Sequence, residues 1–221
     1  MTTASDRPTR RRDEGTRQRK FDPSPRKGDR RREEILDCAE GLLGESSLLD
    51  LSFERIAKQS GLSRSSIYFY FDSKWAIVDA LIARASREML ERTTGVSDDI
   101  EFDDFMTELS SASLDGWRRH RAVFLAAAER SSHADESTDR WRATMGEFVK
   151  VIAARIESEL AVNPAIDVTA VGGPQRVAEI VCWMTERNLY MLFSREHTVA
   201  EEDALSDALG AAFRRILGLG V

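Results

Sequence analysis

From residue 30 onward the apolar residues recur at helical spacing, and strand-like alternation is hard to find. Ile35, Leu36, Ala39, Leu42 and Leu43 fall at i, i+1, i+4, i+7 and i+8, one face of a first helix that Gly44 and Ser46 end. Three serines then punctuate the chain. Ser52, Ser63 and Ser73 each stand directly before a helical pattern, where a side-chain oxygen can accept an orphan backbone N–H. The spacing predicts a second helix after Ser52, a third after Ser63, and a longer fourth over about 74–93 carrying Ile77, Val78, Leu81, Ile82, Ala85, Met89 and Leu90. Further helices are expected at about 101–116, 119–130, 136–160, 174–194 and 202–217, parted by breaks such as Asn163-Pro164 and Gly172-Gly173-Pro174. The expectation is an all-α protein of about nine helices.

Charge divides the chain unevenly. The net charge is -6, yet residues 1–32 hold twelve Lys/Arg against five Asp/Glu, a net of +7, leaving -13 for the rest. A basic arm on an acidic body is the asymmetry of proteins that lay an arm along nucleic acid. Residues 1–28 contain Pro8, Pro23 and Pro25 and almost nothing apolar except Phe21, so they are expected to be disordered alone. Such an arm is either an idle tail or a source of salt-dependent affinity for phosphates. With 42% hydrophobic and 32% charged residues, the remainder reads as a globular protein, not a fibrous or wholly disordered one. Cys38 and Cys182 stand 144 positions apart among apolar neighbours, which suits small buried hydrophobes in a reducing cytoplasm. No apolar run approaches the roughly 18 residues a bilayer span needs, so no membrane role and a cytoplasmic location are expected.

Residues 52–74 read SFERIAKQSGLSRSSIYFYFDSK. Phe53, Ile56 and Ala57 give the second helix an apolar edge, Ser60-Gly61 makes the turn, and Leu62, Ile67 and Phe71 give the third helix its own edge. Two short helices clamped across a glycine turn form a helix-turn-helix whose third helix faces outward. Arg64, Ser65, Ser66, Tyr68, Phe69 and Tyr70 are left without a core to fill, which suits entry into a DNA major groove. Arg64 can bond bidentately to a guanine edge, and Ser65 and Ser66 allow close approach to bases or phosphates. Tyr68 and Tyr70 offer a ring to sugar or thymine methyl and a hydroxyl to phosphate. Lys74 beside the Ser73 cap, with Ser52 and Ser63 at the starts of their helices, can hold backbone phosphates.

These residues resemble the DNA-binding half of the TetR family of bacterial one-component regulators. The matching pieces are Ile56-Ala57, Ser60-Gly61-Leu62-Ser63, Tyr68-Phe69-Tyr70-Phe71 and Ser73-Lys74, dense over about residues 33–82. Ser60, Ser65 and Trp75 depart from the family's usual alanine, small residue and glutamate, which leaves the operator sequence open. The body is similar to the branch of mycobacterial ethionamide-resistance regulators in Trp141 with Met145 and Phe148, in His120-Arg121-Ala122-Val123, and in Met184, Glu186-Arg187 and Leu189. That likeness implies a mostly apolar tunnel in the body and a dimeric repressor released by a small apolar or amphipathic ligand.

Chemistry alone leaves the body ambiguous. Trp141, Met145, Phe148 and Ile152 recur along one helix, while Trp117, Phe124, Trp183, Met184 and Phe193 sit on others, with Thr185 and Asn188 as candidate polar orienters. Such a set lines an apolar cavity or simply fills a core. The last helix carries a stripe, Ala204, Leu205, Ala208, Leu209, Ala212, Phe213, Ile216 and Leu217, wider than one neighbour needs, and residues 177–193 are apolar on more than one side, so a homodimer through these two helices is expected, with burial inside one copy as the alternative. His120, His133 and His197 lie apart without metal-ligand spacing and no phosphate loop is present, so neither enzyme nor cofactor is expected. The reading is a DNA-binding domain over 29–74 and a ligand-binding and dimerisation domain over 75–221, with helix 74–93 as connector and double-stranded operator DNA as partner. Its alternatives are a DNA-binding regulator without effector and a helical ligand-binding protein or enzyme without DNA function.

Overall fold

The computed structural model describes residues 27–94, 100–131 and 136–219, and among them every regular element is helical. The helices are α1 (Lys27–Glu45), α2 (Phe53–Ser60), α3 (Arg64–Tyr70), α4 (Lys74–Thr94), α5 (Phe102–Arg119), α6 (Arg121–Ser131), α7 (Glu136–Leu160), α8 (Pro174–Phe193) and α9 (Val199–Ile216). Two 3-10 turns, Leu48–Asp50 and Thr169–Val171, join α1 to α2 and lead into α8. The basic arm lies outside the described residues except for Lys27 and Gly28, which already belong to α1. His133 lies outside them too.

Local chemistry explains the boundaries. Ser52 Oγ accepts from Arg55 N at 3.3 Å, Ser63 Oγ from Ser66 N at 3.1 Å and Ser73 Oγ from Ala76 N at 3.2 Å, so all three predicted caps form. Pro174 opens α8 after Gly172 and Gly173, both at positive φ. The start of α9 falls three residues before the expected one. Thr198 and Glu201 form a reciprocal capping box there, a T-x-x-E signal present in the sequence but overlooked in placing the boundary.

A continuous core runs through the molecule. Ile35, Leu36, Ile56 and Ile67 of the first three helices meet Ile77, Val78 and Leu81 of α4, all essentially sealed from solvent. Each such side chain stabilises the fold by roughly 1.5–3 kcal/mol relative to exposure. The same α4 continues into the body, packing on α5, α6 and α7, while α7 and α8 lie along each other and α9 packs on α5 and α8. One helix is therefore shared by both halves.

Candidate functional site

The α2–α3 unit is fixed from below and open above. Phe53, Ile56, Ile67 and Phe71 are buried, Ala57 and Leu62 pack partly against them, and Gly61 makes the turn at φ 69, ψ 14, where a side chain would be strained. Arg64, Ser65, Tyr68 and Phe69 fall at i, i+1, i+4 and i+5 and are all exposed, so they form the outer face of α3. Tyr68 is 52% and Phe69 81% exposed. The Tyr68 ring meets Phe53 edge-on at 4.6 Å, which orients it without burying it. Tyr70 is half-buried against the core, with its ring edge-on to Phe69 at 5.0 Å.

Polar groups around α3 have partners within the head. Ser63 Oγ bonds Ser65 Oγ at 2.9 Å and Ser66 Oγ at 2.8 Å, making a hydroxyl cluster on the helix N-terminus. Arg64 Nη1 sits 2.7 Å from Glu54 Oε1, a surface pair weak enough to be exchanged for a stronger partner. Lys74 Nζ donates to the carbonyls of Leu48 at 3.5 Å and Leu49 at 3.2 Å, and its charge lies 4.8 Å from the Trp75 ring. Its ammonium therefore ties the Leu48–Asp50 turn to the start of α4.

A cavity of about 60 Å³ opens in the body. Trp117, Phe124, Trp141, Met145, Phe148 and Ile152 line it from α5, α6 and α7. Helix α8 contributes Val181, Cys182, Thr185, Glu186 and Leu189, and α4 contributes Ser86 and Met89. Burial pushes the Cys182 thiol up to about 12, so it sits in the wall as a neutral apolar group. The walls are largely apolar, mixing aromatic, aliphatic and thioether side chains, and the space holds only a few water molecules.

Residues 35–81 match the model for bacterial regulatory proteins of the tetR family, and residues 107–215 match the C-terminal domain of the transcriptional regulator EthR. The two models meet the exposed α3 and the cavity-bearing body respectively, and together cover more than two thirds of the chain. The chain belongs to the TetR family. It is 27% identical to the HTH-type transcriptional regulator EthR of Mycobacterium tuberculosis over 185 residues, 82% of this chain and 84% of that one. EthR of Mycolicibacterium smegmatis is 30% identical over 147 residues, 60% of this chain and 62% of its own. Among solved structures, Salmonella enterica GusR superposes with a TM-score of 0.72 over 87% of this chain and 97% of that one, at 17% identity, a likeness of fold. As a TetR-family protein the chain is a DNA-binding transcriptional regulator. No described helix is long and apolar enough to cross a membrane.

Within this TetR-family body, four expected pocket residues fall elsewhere. None of Trp183, Met184 and Asn188 is in the lining set 181, 182, 185, 186 and 189: at 100° per residue Trp183 and Met184 lie off either side of its arc, while Asn188 flanks it beside Val181 and is exposed. Trp183 is 37% exposed, and Asn188 donates to Met184 O of its own helix at 2.8 Å. Phe193 is buried but ends α8, where its ring packs on Trp117 at 5.7 Å and His197 at 4.6 Å. Seven expected residues do line the cavity: Trp117, Phe124, Trp141, Met145, Phe148, Ile152 and Thr185. Sequence reasoning missed Ser86 and Met89 of α4, Leu109 and Ser113 of α5, and Val181, Cys182, Glu186 and Leu189 of α8. Glu186 was legible as the i+4 neighbour of Cys182, but the α4 residues had no signal tying them to α8.

A second missed feature joins head to body. His120, to which the sequence assigned no role, is buried, with Nδ1 2.7 Å from Glu40 Oε1 of α1 and Nε2 3.1 Å from Glu88 Oε2 of α4. Arg84 of α4 reaches Glu33 at 3.1 Å, Asp37 at 2.6 Å and Glu40 at 2.5 Å, all on α1. The Glu40 hydrogen bond raises the His120 pKa, opposed by burial and aided by Glu88. Burial pulls the Glu40 pKa upward, yet hydrogen bonds from His120 and Arg84 leave it lowered. These six groups form a clamp between α1, α4 and the α5–α6 corner.

Proposed function

We propose that this chain is a homodimeric repressor that binds a palindromic operator and is released by a small apolar effector entering the body cavity. The observation that carries this is the double membership of α4: Ser86 and Met89 form part of the cavity wall, while Lys74 and Ser73 begin the same helix directly after α3. A cavity of about 60 Å³ is far below the roughly 300 Å³ a ligand pocket needs, so an effector must wedge its helices apart. Displacing α4 moves α1 through the Arg84 and His120 clamp and moves α3 through the short Phe71–Ser73 link. Release requires that the effector favour the displaced state by about 1–3 kcal/mol.

On DNA, Arg64 exchanges Glu54 for a guanine edge while Ser65, Tyr68 and Phe69 follow into the groove. Ser52, Ser63, Ser66, Tyr70 and Lys74 sit where backbone phosphates pass, Lys74 trading the Leu48 and Leu49 carbonyls for one. Two copies of α3 read half-sites about 34 Å apart. Pairing is assigned to α8 and α9, where Ile180, Trp183 and Met191 leave an apolar stripe exposed and Ala204, Ala208 and Ala211 allow close approach. Working on the chromosome, the protein acts in the cytoplasm.

The test is an electrophoretic shift with DNA from upstream of its own gene, repeated with phenylalkyl compounds. A salt-sensitive shifted band that the compounds abolish supports the reading. A folded protein that shifts no DNA at low salt removes it.

A further inference from the structure

Inside the cavity, polar groups are left over. Ser86 Oγ, Trp141 Nε1 and both carboxylate oxygens of Glu186 are buried and line the same space, and none has a hydrogen-bond partner among the described residues. Glu186 is only 4% exposed. Glu186 has an ion pair with Arg187, whose Nε stands 3.8 Å from Glu186 Oε2, beyond hydrogen-bonding distance. Arg187 itself is exposed and stacks over the Tyr190 ring at 5.0 Å. Burial raises the Glu186 pKa, with Arg187 offsetting part of the rise, so ionisation of this carboxyl is disfavoured in the free site.

An orphaned buried carboxylate is unfavourable, and selection for packing alone would place an apolar residue there. Its surroundings narrow the complement. A ligand carboxylate or phosphate would find no cation among the lining residues, whereas a ligand cation would favour the ionised form of Glu186. A lone carboxylate does not make a metal site, and among the described residues no group of His, Cys, Asp and Glu is placed to hold one. What remains is a group bearing several N–H donors and positive charge, attached to a body that fills the aromatic walls. Trp141 Nε1 donates, so it selects a hydrogen-bond acceptor elsewhere on the same molecule, and Ser86 can serve either role.

Resting on the reading of this cavity as the effector site, we propose that the effector is an apolar amine, its protonated nitrogen paired with Glu186 and its apolar body held by Trp117, Phe124, Met145 and Phe148. The apolar part of the wall supplies bulk affinity, and Glu186 supplies the choice of ligand charge.

The test uses the full-length protein and three probes of matched shape: phenylbutylamine, phenylbutanol and phenylbutyrate, titrated calorimetrically at neutral pH. The amine is expected to bind about tenfold to a hundredfold tighter than the alcohol, as a charge-assisted hydrogen bond should give, with the acid weakest. Glu186→Gln should erase that preference while leaving the alcohol within about twofold, since an amide keeps the shape and loses the charge. Equal binding of amine and alcohol by the natural protein, or tighter binding of the acid, overturns the charge assignment even if the variant fails to fold. Failure of all three probes, or binding that survives filling the cavity by Phe148→Trp, overturns the effector-site reading itself, and the two failures are thereby told apart.

Discussion

The head and the body use the same helices to opposite ends. In the head, the caps Ser52, Ser63 and Ser73 are all engaged and Ile56 and Ile67 are sealed, so α3 has one way to stand. In the body, a cavity interrupts the packing and Ser86, Trp141 and Glu186 keep polar atoms unpaired. The contrast follows from the tasks. A reading helix loses discrimination if it wobbles, whereas an effector site must yield, and a site that yields cannot be fully satisfied beforehand.

The largest effect expected from breaking this contrast is in the head. Ile67→Ala, at a position with no solvent exposure, should lose about 2–5 kcal/mol, read as a fall in the denaturation midpoint. A loss below about 1 kcal/mol would mean that the head is not rigidly packed. Next is Arg64→Ala, which should cost about 1–3 kcal/mol of discrimination at one base position per half-site, measured by binding to single-base operator variants. A uniform loss across all variants would assign Arg64 to phosphate instead.

The body should answer in the opposite direction. Glu186→Gln is expected to stabilise the free protein by up to about 1–3 kcal/mol, because it removes a charge whose burial the Arg187 ion pair offsets only in part. The gain should be greatest above the raised pKa of Glu186, where the natural carboxyl must ionise in a buried site, and should vanish below its unfolded value. Destabilisation at neutral pH would show that Glu186 has a stabilising partner. Smaller still, Ser63→Ala should cost about 1 kcal/mol of stability through loss of the α3 cap.

The clamp between the two regions should show in the pH profile. Since the folded pKa of His120 is raised, its stabilisation is complete below the free histidine value of about 6.5 and is lost as pH rises through the raised value. Glu40, lowered in the fold, contributes above its unfolded value and loses that contribution as pH falls through the lowered one. Thermal melts from about pH 6 to about pH 8 should therefore fall for the natural protein and flatten for His120→Gln. Parallel profiles would show that the clamp does not join head to body.

The head was legible because its signals are local. Serine caps, the Gly61 turn and the apolar edges of α2 and α3 act within a few residues, so spacing alone placed them and exposed Arg64, Tyr68 and Phe69. Half of Tyr70 was misjudged, since its position at the end of α3 turns its ring toward the core. In the body the walls on α5, α6 and α7 could be picked by residue type, yet Trp183, Met184, Asn188 and Phe193 could not be told from Thr185 without the orientation of α8.

Periodicity and caps thus determined that the chain is helical, where α2, α3 and α4 begin, and which residues α3 presents outward. Only tertiary packing decided that Ser86 and Met89 share a cavity with Glu186, and that His120 meets Glu40, eighty positions away in sequence. The physical reason is range. Hydrogen bonds of caps and turns close within one helical turn, whereas a cavity or buried ion cluster is a property of several helices at once, and its members carry no mark of one another.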